Sequence, residues 1–310
     1  MSWIFLATIG QLINAVVAFL DKYIVTDEKA LPRPFVYAFY SCLLTGFWVV
    51  IYFFGYIPGL TALGIPTFDS IVKPTIQVIG MSFLAAYTFF MALVSMYDAL
   101  RKAEAVNVMP VIGSISALTT FAMSHYFLNT QFSNNFMWGV VVLSLGTLLV
   151  AQTIPHRGII LNVFHSGVFF ALHFISMKGL FLETNFNNGF FWSRVGFVIF
   201  AISLLMVPAY YEKVFEQTKK TTKKTGFIVI ITKILAGVAA FLLLKATDFG
   251  DVAVVQALDG LKFVFILAIS IVFGPILSDV VVKHEIRPQE ITRRILYVAV
   301  IAVGYLILFL

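Results

Sequence analysis

The sequence predicts an all-α integral membrane protein with ten transmembrane helices, arranged as two inverted five-helix repeats. Three observations lead there. Hydrophobic residues make up 60% of the 310 and charged residues 12%, where soluble chains carry about 25% charged residues; the mean hydropathy is +0.97. Ten apolar segments approach the length of about 20 residues that a membrane helix needs. None alternates as a barrel strand would, so helices are the spanning option left. Finally, the two halves, residues 1–154 and 155–310, resemble each other. Laying Glu104 on Asp251 brings Gly113 onto Gly260, and AFLDKYIV in the first half answers HFISMKGLF in the second, pairing Lys22 with Lys178. An odd number of helices per copy forces the copies into opposite orientations, and such inverted repeats place a solute site near the midplane.

The first span is expected over Trp3–Leu20, closed by Asp21, Lys22 and Tyr23. MSWIFLATIG lacks a basic leader and a small-residue cleavage site, so it reads as a retained span. The second span covers Phe35–Phe54. A connector from Gly55 to Ile76, broken by Pro58, Pro66 and Pro74, is read as a surface loop at the interface, with a gate as the sharper reading. Spans three to five follow over Gln77–Tyr97, Ala105–Leu128 and Phe136–Thr153. The second half gives Gly158–Leu180, Gly189–Tyr211, Phe227–Leu244, Val252–Gly274 and Ile295–Leu310, with extra residues around Ser278–Glu290. Between its second and third spans, EKVFEQTKKTTKKT reads as a solvated basic loop.

The +6 net charge sits in short connectors, which argues for membrane topology and against nucleic acid. Odd-numbered connectors carry Lys29, Arg33, Arg101, Lys102, Arg157, Lys213, Lys219, Lys220, Lys223, Lys224, Lys283, Arg287, Arg293 and Arg294 as well as Lys22. Even-numbered ones hold Lys73, with Lys178 and Lys245 at adjoining span ends. This bias puts the odd connectors in the cytoplasm and both termini outside. The single Cys42 offers neither a disulfide nor a cysteine metal site.

Ionisable groups inside spans are expensive and therefore candidates for function. Asp259 and Lys262, three residues apart, share a helical face in the ninth span. Lys233 in the eighth adds a second cation, so a positive surplus is expected to face the bundle interior and to attract an anionic or carboxylate-bearing solute. Asp21 or Asp98 would cancel that surplus if either reached it. Arg194 lies one turn into the seventh span, where snorkelling to the interface competes with solute contact. His165, Phe169 and His173 fall on one stripe. The histidines and Asp259 are the candidates for proton coupling, against a structural hydrogen bond as the plain alternative. Gln11, Asn14, Asn107, Ser114 and Gln256 are polar positions that either line the same cavity or join helices. Without Cys or carboxylates beside the histidines, no metal site is expected, and no cofactor is implied. Phosphate-cradling loops, HExxH and nucleophile elbows are absent from the sequence, so no enzymatic activity is expected.

The hinge and span DALRKAEAVNVMPVIGSISALTTFAMSHYFL, its counterpart KATDFGDVAVVQALDGLKFVFILAISIVFGPIL, and the closing segments FMWGVVVLSLGTLLVAQ and YVAVIAVGYLIL resemble the drug/metabolite transporter superfamily, of the ten-helix EamA-like kind. FLDKYIV resembles that group too, so the likeness spans nearly the whole chain. It departs after the fourth span, where such proteins usually carry a Glu and this turn reads LNTQFS with Asn129 and Gln131. The family's common drawing also puts the termini in the cytoplasm, opposite to the charge bias. The resemblance implies a secondary active transporter, an exporter or exchanger of a small polar metabolite working by alternating access. The expected setting is a prokaryotic inner membrane, as a monomer or homodimer among lipid. A non-transporting scaffold or a flippase for a lipid-linked substrate is the alternative.

Overall fold

The computed structural model describes residues 2–26, 33–60, 65–151, 154, 157–273 and 288–309. Within these residues every regular element is a helix. α1 spans Ser2–Thr26, α2 Pro34–Gly46, α3 Ile51–Phe54, α4 Ile76–Lys102, α5 Ala105–Leu128, α6 Asn134–Ala151 and α7 Arg157–Glu183. Then come α8 Phe186–Leu205, α9 Pro208–Lys220, α10 Lys223–Phe249, α11 Val252–Ala257, α12 Leu261–Phe273 and α13 Pro288–Phe309. Among the described residues eight helical stretches are long and apolar enough to cross a bilayer, with α2–α3 and α11–α12 each counted as one. Their outer faces carry Phe5, Leu161, Phe164, Ile199 and Ile230, each half or more exposed. Water does not tolerate apolar surface on that scale, but lipid does. The chain is an integral, multi-pass membrane protein.

Helix boundaries follow local chemistry. Pro34 and Pro208 sit in the first turns of α2 and α9, where the missing N–H costs nothing. Thr75, Asn185, Thr222 and Asp251 cap α4, α8, α10 and α11 by accepting backbone N–H bonds. Asn129 closes α5 in the left-handed conformation, with φ of 53°. Pro110 lies inside α5 without ending it, as lipid-embedded helices allow.

Several boundaries differ from the sequence expectation. α1 runs on through Asp21 and Lys22 to Thr26, because both charges find partners inside the bundle and need not reach water. Helices α4 and α10 likewise carry Asp98 and Lys102, and Lys245 and Asp248, near their C-terminal ends. The seventh span stops at Leu205, and most of the expected basic loop is the helix α9. Its Tyr210 and Val214, four residues apart, turn toward the bundle; Tyr210 meets Phe35 of α2 with ring centroids 4.8 Å apart. The ninth span is broken. A 3-10 turn at Leu258–Gly260 separates α11 from α12. The long connector is packed rather than loose over its described part: Phe68 lies against the rings of Tyr52, Phe53 and Phe191. Asn188 accepts from the Val72 N–H at 2.8 Å and donates to the Ser70 carbonyl at 2.9 Å, and Trp192 donates to the Val72 carbonyl. Lys29, Thr153, Gly274, Lys283, Arg287, Leu310 and most of the extra residues around Ser278–Glu290 lie outside the described residues.

α4 packs on α7, α1 on α10, and α6 on α13. The last contact is close because a Cβ at Gly146 would lie 2.8 Å from an Ile301 side-chain carbon. The break in the ninth span is fitted just as tightly. Gly260 donates its N–H to the Tyr305 hydroxyl at 2.7 Å, and any Cβ there would fall on the Tyr305 ring. A Gly260→Ala variant should therefore lose about 1–3 kcal/mol through overpacking, read as an earlier loss of monodispersity on heating in detergent. Adding Tyr305→Ala should cost less than the sum of the two single changes.

Candidate functional site

Helices α1, α2, α4, α5, α7, α8, α10 and the broken α11–α12 surround a cavity of about 150 Å³. Its walls are largely apolar, from Phe89, Leu93, Met96, Phe170, Phe174 and Phe197. The polar lining comprises Asn14, Asp21, Ser41, Thr45, Tyr97, Ser116, His173, Arg194, Lys233, Gln256, Asp259 and Lys262.

Two ion pairs stand in this lining. Lys233 of α10 reaches Asp21 of α1 at 2.9 Å and donates to the Tyr97 hydroxyl at 2.8 Å. Its ammonium also lies 4.2 Å from the Tyr37 ring centroid and 5.2 Å from that of Tyr97, and the Tyr37 hydroxyl donates to Asp21. Ser41 lies 3.0 Å from the Tyr97 hydroxyl. Both charges are nearly sealed from solvent, at 6% and 5% side-chain exposure. The second pair lies at the helix break, where Lys262 donates to both Asp259 oxygens at 2.9 Å. Asp259 fits because Gly113 of α5 has no side chain; a Cβ there would come within 2.5 Å of Asp259 Oδ2.

Arg194 of α8 is different. It is 2% exposed, so it does not snorkel to an interface. Its guanidinium packs 4.5 Å from the Phe190 ring centroid and 4.8 Å from that of Phe197, and Nε donates to Ser193 Oγ at 3.3 Å. Among the described residues no carboxylate lies within ion-pairing distance of it. Two aspartates, two lysines and this arginine are the charged lining groups, so the cavity carries one formal positive charge in excess.

The structure therefore gathers Lys262, Lys233, Asp259, Arg194, Gln256, Asn14 and His173 around one space. The surplus cation expected at Lys233 sits at Arg194 instead, because Asp21 neutralises Lys233. Asp98 does not share in this; it pairs with Lys102 and Arg101 and accepts from Asn162 at the end of α4. His173 Nδ1 donates to the Ala85 carbonyl at 2.9 Å, which makes Nδ1 the protonated nitrogen. Ser116 donates to Gln256 Oε1 at 3.4 Å. Four candidates, Gln11, Asn107, Ser114 and His165, stand outside the lining, and Gln11 is buried in α1. Ser95 and His165 Nδ1 are 2.7 Å apart between α4 and α7, Asn107 lies in the first turn of α5, and Ser114 is buried without a hydrogen-bond partner among the described residues. Tyr37, Ser41, Thr45, Tyr97 and Ser116 were not legible as site residues. They lie in apolar runs, and only the neighbourhood of Asp21 in space gives the two tyrosines their role.

No protein-family model matches the chain, and no curated protein matches it. Among solved structures 27 chains match. One, described only as "Crystal structure of protein", superposes with a TM-score of 0.59 at 12% identity over 96% of each chain. At that identity the likeness shows a shared helical fold and nothing about activity.

The Asp21–Lys233 pair generates a test. Removing one member leaves the other buried and uncompensated, at a cost of about 3–5 kcal/mol. Lys233→Met and Asp21→Asn should each lower the yield of monodisperse protein, and the double variant should recover most of it. A loss in the double variant equal to the sum of the two single losses would mean that the two charges are not coupled.

Proposed function

We propose that the chain is a secondary active transporter, an EamA-like member of the drug/metabolite transporter superfamily, that moves a small anionic metabolite by alternating access. The observation that carries this reading is Arg194: a guanidinium buried in a membrane bundle, facing a cavity, with no carboxylate partner among the described residues. A buried unpaired cation is costly, and an incoming carboxylate or phosphate would complete its neutralisation. The planar donor fork suits such an anion better than a point ammonium. The two lining ion pairs are each closed on themselves, so they shape the cavity while Arg194 holds the solute. The apolar walls would take the body of the metabolite, and Asp259 or His173 would carry any coupled proton.

The reading requires ten spans, with α6 and α13 added to the eight long apolar stretches, in two inverted halves. Support comes from matched lysines. Lys22 of α1 donates to the carbonyls of Leu100 and Ala103 at the C-terminus of α4. Lys178 of α7 donates to those of Thr247 and Gly250 at the C-terminus of α10. The alignment that lays Glu104 on Asp251 also lays Leu100 on Thr247 and Ala103 on Gly250. Each cation meets the negative end of a helix dipole in the same register. Exchanging the halves likewise turns the α1–α10 contact into the α7–α4 contact, and both are extensive. These two matches support an inverted repeat, which a rocking mechanism around a central site needs.

Two experiments test this proposal. In proteoliposomes, a screen of small carboxylates and phosphates with and without a pH gradient should find a transported anion. Arg194→Gln should remain monodisperse yet transport it at least about tenfold more slowly, the loss of a charged hydrogen bond. Wild-type rates in Arg194→Gln would remove Arg194 from the site. Orientation is read separately with Lys220→Cys in a Cys42→Ser background. An impermeant thiol reagent added to intact cells should leave this position unlabelled, since the basic end of the bundle is expected in the cytoplasm.

A further inference from the structure

We propose that α9 is an interfacial helix whose lysines bind anionic phospholipid headgroups of the leaflet on which it lies. This inference does not depend on the transport reading. α9 leaves α8 through Met206 and Val207, which are 80% and 42% exposed, and runs directly into α10, whose early residue Phe227 is 64% exposed. Both neighbours cross the bilayer by length and composition, so α9 joins them where membrane meets water.

Its thirteen residues divide into three stripes at 100° per residue. Tyr210, Val214 and Gln217 face the bundle; the Thr218 and Tyr40 hydroxyls also meet there. Tyr211 and Phe215, four residues apart and 45% and 49% exposed, form a second stripe, with Lys219 one turn on. Lys213, Glu216 and Lys220 form the third. Between residues 212 and 224 five lysines stand against Glu212 and Glu216, and Glu216 already has Arg33 3.9 Å away.

Neither bulk phase suits this helix. Water leaves the aromatic stripe unpartnered, and hydrocarbon rejects the ammonium groups of Lys213, Lys219 and Lys220. The headgroup region takes both, with aromatic rings at the acyl boundary and lysines among phosphates. Lys219 has the required shape, its ammonium 5.1 Å from the Phe215 ring centroid and its stem along the apolar stripe. Charge complementarity names the occupant: an anionic leaflet attracts each such lysine, whereas a zwitterionic one does not.

The test uses the full chain reconstituted in vesicles of phosphatidylcholine with or without phosphatidylglycerol. Nitroxide labels are placed singly at Phe215→Cys and Glu216→Cys in the Cys42→Ser background. The first should be relaxed mainly by oxygen and the second mainly by an aqueous nickel chelate. Equal exposure of both to nickel would place α9 in water and overturn the proposal. In mixed vesicles, spin-labelled phosphatidylglycerol should be enriched over spin-labelled phosphatidylcholine in the motionally restricted lipid around the protein. Changing Lys213, Lys219, Lys220, Lys223 and Lys224 to Gln should lower that enrichment towards parity. These side chains are exposed, so the variant should stay monodisperse. Absence of enrichment in the wild type, or its survival in the variant, would also overturn the proposal.

Discussion

An ammonium group held among membrane helices has no water to solvate it, so Lys233 must be answered from within the bundle. Asp21 answers it, with Tyr37 and Tyr97 supplying the remaining contacts. The consequences spread outward from that pair. It holds α1 against α10, draws α2 and α4 in through their tyrosines, and lets α1 continue as a helix past two charged residues. It also fixes the electrostatics of the cavity, because a neutralised Lys233 leaves Arg194 as the cation without a carboxylate among the described residues. Attraction within the pair is strong at low dielectric, and so is the penalty for breaking it.

Cation–acceptor contacts of a second kind sit at helix ends. The C-terminal carbonyls of a helix have no partner within it, and in lipid an unsatisfied carbonyl costs more than it does in water. Lys22 and Lys178 close the ends of α4 and α10 in this way, each from a helix packed alongside. Both lysines thereby find acceptors inside the protein, and the turns that lead into α5 and α11 are held in place.

Close approach of backbones does the rest. Where α12 departs from α11, Asp259 needs room beside α5, and Gly113 provides it; Tyr305 of α13 needs room over the break, and Gly260 provides that. Membrane helices gain no hydrophobic stabilisation from leaving lipid, so such contacts rest on dispersion and on small residues. A broken helix carrying an ion pair is a place where the bundle has charged groups near freed backbone rather than continuous ladder.

The sequence by itself determined where the helices lie and that charges are buried among them. Length and apolarity are local properties, and α5 matches its expected bounds, Ala105–Leu128, because caps and turns at both ends are local too. Asp259, Lys262, Lys233, Arg194 and His173 were legible for a related reason: a titratable residue inside an apolar run is visible without a partner in view. Which charge answers which was decided only by tertiary packing. Asp21 and Lys233 are 212 positions apart, and no spacing rule links them; that Arg194 meets no carboxylate among the described residues depends on every helix around it. Helix α9 was hidden for the opposite reason. Its charges read as a solvated loop, and its helical state rests on a narrow apolar stripe that gains from docking on α2, a contact that exists only once the chain has folded.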